Sequence, residues 1–140
     1  MKKILSLTVS AILALTLIFS LAACSNSNDP WADAKYTKDT EIGTGDTTFY
    51  FVVKVDEHKV KFTVNTDEAI VGEALLDLGL IDGNVESYGL YVKKVNGIRA
   101  DYDKDKAYWA FYVDGEYAMS GVDFTAVVPG ETYEFVYTKD

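Results

Sequence analysis

The sequence predicts an α+β fold, a β-grasp-like mixed sheet packed on one helix. Three observations carry that prediction. Apolar and polar residues alternate along several short stretches, which is the period of strands with one wet face. A single stretch, Val71 to Leu78, instead spaces its apolar residues at i, i+3, i+4 and i+7. Turn signals fall between the alternating stretches, at Asn96-Gly97, Asp114-Gly115 and Pro129-Gly130.

Thr48 to Val55 places Phe49, Phe51, Val53 and Val55 on one face of a first strand. Asp56 to Lys59 makes a turn. Val60, Phe62 and Val64 then alternate with Lys59, Lys61 and Thr63 in a second strand. A helix follows between Asp67 and Gly79, with Val71, Ala74, Leu75 and Leu78 on its apolar face. Acids at its start suit the helix dipole, and Gly79 suits the position just past its end. Gly72 inside it costs up to about 1 kcal/mol against Ala, so the helix must rely on packing.

Leu90 to Val95 reads as a third strand, with a short return at Ile98 after the Asn96-Gly97 turn. An acidic loop, Asp101 to Lys106, leads into a hairpin from Tyr108 to Thr125 that turns at Asp114-Gly115. Its first arm sets Trp109, Phe111 and Val113 on one side and Tyr108, Ala110 and Tyr112 on the other. Both sides are apolar or aromatic, more than a half-buried strand needs. Val128-Pro129-Gly130-Glu131 has the Pro and Gly placement of a type II turn, and Tyr133 to Thr138 is the last strand. The order is β-β-α-β-β-β. In a β-grasp the helix is the crossover and the last strand lies beside the first.

The start of the chain reads as an address. Lys2 and Lys3 precede an apolar run from Ile4 to Ala23, the pattern of a secretory signal. Leu21-Ala22-Ala23-Cys24 resembles a bacterial lipobox, whose cysteine carries the lipid. Cys24 is the single cysteine, which excludes an intrachain disulfide. Stable anchoring needs two acyl chains, and a diacylglyceryl cysteine supplies them. The expected organisation is a signal peptide over 1–23, a flexible lipid-anchored tether over 24–46 and a domain over 47–140. In the polar tether Trp31 is expected to pack loosely on the domain. The expected location is the extracytoplasmic face of a bacterial membrane.

Removing residues 1–23 leaves 117 residues and takes the net charge from −9 to −11, because that segment carries two lysines and no acid. So acidic a surface repels phosphate backbones and anionic lipid. Nucleic acid is therefore not expected as a partner, and the lipid on Cys24 is left as the membrane contact.

Catalysis finds little support. A serine triad needs a histidine held by a carboxylate, and His58, the single histidine, falls in a turn. Zinc would need further N or S ligands beside it. Gly43-Thr44-Gly45 lacks the Lys-Ser/Thr and helix start of a phosphate loop. The chain is expected not to be an enzyme and to hold no metal, with one candidate weighed against that. Asp101, Asp103 and Asp105 have the spacing that opens a calcium loop, but Lys106 stands where Gly is required and Tyr112 where a bidentate acid is required. The remaining candidates are the tyrosines Tyr91, Tyr108, Tyr112 and Tyr117. Strand propensity explains them as well as a binding surface does.

Three pieces carry a family resemblance: Val71 to Asp77, Tyr91 to Ile98, and Tyr108-Trp109 through Gly121-Val122-Asp123 to Gly130-Glu131-Thr132-Tyr133. Together they resemble the DUF4430 family, the transcobalamin-like C-terminal domain, over roughly residues 48–138. In cobalamin carriers this domain closes over the corrin ring, and apolar hairpin residues touch it. The resemblance implies a cobalamin-type ligand, with Phe111, Ala118 and Met119 facing it. The sequence departs from those carriers in having no counterpart of their helical barrel, and in placing Tyr117 near the hairpin turn. The functional expectation is a cell-surface binding module that captures a corrinoid or similar flat vitamin-like ligand at Tyr91, Phe111, Tyr112, Tyr117, Ala118 and Met119. A vitamin transporter or surface protein would be its partner. The alternative is a protein–protein interaction module of adhesion type without a small ligand.

Overall fold

The computed structural model describes residues 29–140. The leader over 1–23 and Cys24 lie outside them. Strands β1 (Thr40–Ile42), β2 (Thr47–Val55) and β3 (His58–Thr66) come first, then helix α1 (Val71–Asp77). Strands β4 (Ile81–Glu86), β5 (Gly89–Val95) and β6 (Ile98–Arg99) follow, and a single helical turn α2 (Tyr102–Asp105). The chain ends with β7 (Ala107–Val113), β8 (Glu116–Tyr117) and β9 (Thr132–Lys139). Among the described residues no helix is long and apolar enough to cross a membrane.

Two sheets form. The larger has the order β1-β3-β2-β9-β7-β8, and the smaller is β4-β5-β6. At the centre of the larger, β9 lies parallel to β2, with Phe51 opposite Tyr133 and Val53 opposite Phe135. The last strand beside β2, the first of the strands expected from the alternation, is the expected mixed-sheet layout. Period-two alternation then sorts the side chains. Phe49, Phe51, Val53, Val55, Val60, Phe62, Val64, Tyr133 and Phe135 are buried on one face. Tyr50, Lys54, Lys59, Lys61 and Glu134 fall on the other. Val71, Ala74 and Leu75 of α1 and Val95 and Ile98 of the small sheet join the same core.

Four expectations need correction. The stretch Ile81–Glu86, which carries no strand signal, is a strand; it pairs antiparallel with β5, so there are two sheets rather than one. Thr40–Ile42 pairs in parallel with β3, which builds part of the expected tether into the fold. The helix spans seven residues, Val71–Asp77, with Leu78 as its cap and Gly79 just past it, so the acids Asp67 and Glu68 lie ahead of it rather than in its first turn. The return arm of the hairpin pairs only over Glu116–Tyr117 before it leaves the sheet.

The segment ahead of β1 is fastened by Asn96. This side chain is fully buried; its Oδ1 accepts from Tyr36 N at 2.9 Å and its Nδ2 donates to Tyr36 O at 2.9 Å. Trp31 packs on the domain as expected, stacked on the His58 ring with centroids 4.9 Å apart. His58 lies at the start of β3 rather than in a turn, and its Nε2 is 4.0 Å from the Asp29 carboxylate.

Gly72 owes its place to contact rather than to helix propensity. A Cβ there would sit 2.9 Å from Asp123 Cα and 3.0 Å from Val122 O, both main chain. Gly72→Ala is therefore expected to lose about 1–2 kcal/mol, overpacking outweighing the gain in helix propensity. Urea denaturation of the two proteins reads the sign.

Tyr133 ties β9 to the loop before the Pro129-Gly130 turn. Its hydroxyl donates to Ala126 O and accepts from Val128 N, both at 3.0 Å. Burial, aided by the Glu131 and Asp114 carboxylates, pushes this hydroxyl above its ordinary value against the pull of Val128 N–H. The folded state holds the proton more tightly than the unfolded one. Its contribution is present below pH about 10 and is lost as pH rises through the raised folded value. Tyr133→Phe is expected to cost about 1–3 kcal/mol at neutral pH by orphaning Val128 N–H. It should also flatten the alkaline fall in stability, as followed by urea midpoints across pH.

Candidate functional site

The hairpin turn forms as its residues require: Asp114 and Gly115 both take positive φ, 52° and 86°. From there the register decides the site. Asp114 N donates to Thr132 O at one end of the β7–β9 ladder, and Asp140 N donates to Lys106 O at the other. By antiparallel alternation, Tyr108, Ala110 and Tyr112 bond β9, while Trp109, Phe111 and Val113 direct their main-chain groups the opposite way. On that side Ala118 N donates to Phe111 O at 2.9 Å. There the pairing stops, because the chain leaves the sheet at Met119. Trp109 keeps an open edge.

A groove of about 250 Å³ fills the space that the departing chain leaves. Phe111, Trp109 and Phe135 form its floor, Leu90, Tyr91 and Val92 of β5 one wall, and Tyr117 to Val122 the other. Asp123 pins the two walls together: its Oδ2 accepts from Leu90 N at 3.0 Å. Gly89 and Gly121 leave it room, since a Cβ at either would lie 2.8 Å from an Asp123 carboxylate oxygen. Its Oδ1 is buried without a hydrogen-bond partner. The Trp109 indole is held from below, donating to Ile98 O at 3.1 Å.

Five of the six expected ligand residues meet here: Tyr91, Phe111, Tyr117, Ala118 and Met119. Tyr112 does not line the groove. It lies one residue from Phe111, hence on the opposite face of β7, edge-on to Tyr117 at 5.6 Å. Phe111 is mostly core, 9% exposed and packed on Phe135 at 4.9 Å between centroids. Met119 is the reachable group, 99% exposed; Tyr117, also exposed, pairs with Tyr112 across the ladder and turns its ring to that residue's face while it borders the groove. Burial, then the Tyr88 hydroxyl and the Asp103 and Asp101 carboxylates, push the Tyr91 hydroxyl up, so it stays protonated at neutral pH. Leu90, Val92 and Gly121-Val122 carry no hairpin signal, and sequence reasoning missed them as lining, although it expected their neighbour Tyr91. The Gly121-Val122-Asp123 run, already distinctive, was their one mark.

The acidic loop of the calcium candidate opens as a helix cap. Asp101 caps α2, its Oδ1 accepting from Asp103 N at 3.1 Å and Lys104 N at 3.3 Å. Among the described residues no group of three or more His, Cys, Asp or Glu side chains is arranged to hold a metal ion.

What the fold and groove define is a small mixed-sheet domain with an aromatic cleft at an interrupted strand edge. The chain belongs to the family described as a domain of unknown function, DUF4430, whose model matches residues 68–139. A proposed metal-binding protein from Ruminococcus gnavus is 26% identical with a TM-score of 0.64, over 68% of this chain and 99% of its own. Haptocorrin, solved in complex with Cbi, is 22% identical with a TM-score of 0.50 over 66% of this chain, a likeness of fold. The match spans 25% of haptocorrin's length. No curated protein matches.

Core and rim are separable by mutation. Phe111→Ala is expected to cost about 3–5 kcal/mol of stability, and Met119→Ala less than about 0.5 kcal/mol, as measured by denaturant unfolding.

Proposed function

We propose that this protein is a non-catalytic capture module for a flat, vitamin-like ligand, with a corrinoid as the leading candidate. The groove with its exposed rim is the observation that carries this reading. Tyr117 and Met119 border the groove and are exposed, and the exposed Phe124 packs its ring against Gly89, the residue before the β5 wall. Aromatic and Met side chains offer area at low entropy cost. The haptocorrin complex supports the ligand class by likeness of fold. The metal description of the Ruminococcus protein has no ligand group to rest on among the described residues.

The groove takes part of such a ligand only. Sites that enclose a small molecule run to about 300–1,000 Å³, against about 250 Å³ here. The remainder is left for a second surface, a transporter or another surface protein, seated on the apolar rim. The layout suits a lipid-anchored chain. Asp29 lies beside His58 at the β2–β3 turn, the end of the sheet opposite Asp114-Gly115. Seven residues of β7 separate the two ends, roughly 20 Å at strand rise. Lipid on Cys24 would then hold one end near the bilayer and turn the hairpin outward.

Cobalamin titrated into the protein is expected to release or absorb heat and shift the corrin absorbance. Met119→Ala should weaken binding at least about threefold. Tyr50→Ala, on the outer sheet face, should not. Absence of heat and of any absorbance shift with the folded protein would sink the reading.

A further inference from the structure

Among the described residues the main-chain N–H and C=O of Trp109 have no hydrogen-bond partner, and Trp109 lines the groove. Its neighbours Tyr108 and Ala110 bond β9, and Phe111 O is taken by Ala118 N. One pair further along, Ser120 would have to bond Trp109, but the chain has already turned toward Gly121. An aromatic cleft thus has one main-chain N–H and one C=O side by side in it. A group that both accepts and donates across a short span complements them, and a carboxamide is such a group.

The charges around the groove favour the amide over its acid. Its lining contains no lysine or arginine, and the cation beside its wall, Lys93, is turned onto the Tyr91 ring with Nζ 5.7 Å from the centroid. The Asp123 Oδ1 lies unpartnered behind Gly121 and Val122. The described chain carries eleven more acidic than basic residues. A carboxylate has no proton to give Trp109 C=O and enters a field of its own sign. A site built to hydrogen-bond one group rejects the analogue that lacks the bond.

We propose that the Trp109 N–H and C=O form a clamp for a carboxamide on the rim of the ligand, and that the groove refuses carboxylates. For its ligand this rests on the capture reading above. Strand addition by a peptide uses the same chemistry but a longer run of open edge. Within this groove the open run is short, the Trp109 N–H and C=O with the Phe111 N–H beside them.

Isotope-labelled protein tests the clamp directly. In the ligand-free protein the Trp109 amide should exchange with solvent at least about tenfold faster than the Ala110 amide, which is paired to Val136. Acetamide should move the Trp109 N–H resonance saturably, and acetate at equal concentration should leave it in place. A protected Trp109 amide in the free protein overturns the clamp, as does an equal response to acetate. A shift with acetamide but no binding of cobalamin keeps the clamp and removes the corrinoid. Binding of cobalamin with Trp109 silent to acetamide does the reverse. Protection of Ala107 together with Trp109 by an extended peptide would overturn the small-ligand form of the proposal.

Discussion

The fold depends on the parallel pairing of β2 with β9. Each strand brings its own antiparallel neighbour, β3 on one side and β7 on the other. Until β9 docks, the N-terminal hairpin and the hairpin that carries the groove share no hydrogen bonds between strands. Once docked, Phe51, Phe62, Phe111, Tyr133 and Phe135 form one run of packed rings across four strands. Parallel pairs form late and at high loop-closure cost, because the partners are far apart in sequence. The burial of those rings offsets that cost, at about 2–3 kcal/mol for each fully buried side chain.

The groove follows from where that sheet ends. β8 keeps two residues in register, and Ala118 adds one more bond to β7. The chain then needs to reach the face of α1, where Val122 is buried and Gly72 admits its carbonyl. The contact that fixes the short helix therefore also draws the return strand away from Trp109. Asp123 ties the same segment to Leu90. Core packing and the opening of the cleft are one arrangement, read from two sides.

Much of this was legible in the residues, and the failures have physical causes. The alternation of Phe49 to Val55, Val60 to Val64 and Tyr133 to Thr138 located the central strands, because those residues face a dry core on one side. Asp114-Gly115 located the hairpin by its positive φ. Ile81–Glu86 escaped notice because it buries one residue, Ile81, and carries Gly83 and Asn84. Thr40–Ile42 is too short to show a period. Tyr112 lies outside the groove lining, as the alternation that separates it from Phe111 implies. Helical spacing found α1, whereas Gly72 looked like a defect until the main chain packed on it was known.

The Asn96 fastening has a mechanical consequence. Traction on the chain ahead of Asp29 meets the Trp31–His58 stack first, then the paired bonds to Tyr36, and only afterwards the β1–β3 ladder. Those early contacts are few and can re-form after a tug. They act as a shock absorber upstream of the central strands β2 and β9, and because Asn96 directly follows β5 they pass part of a pull to that wall of the cleft.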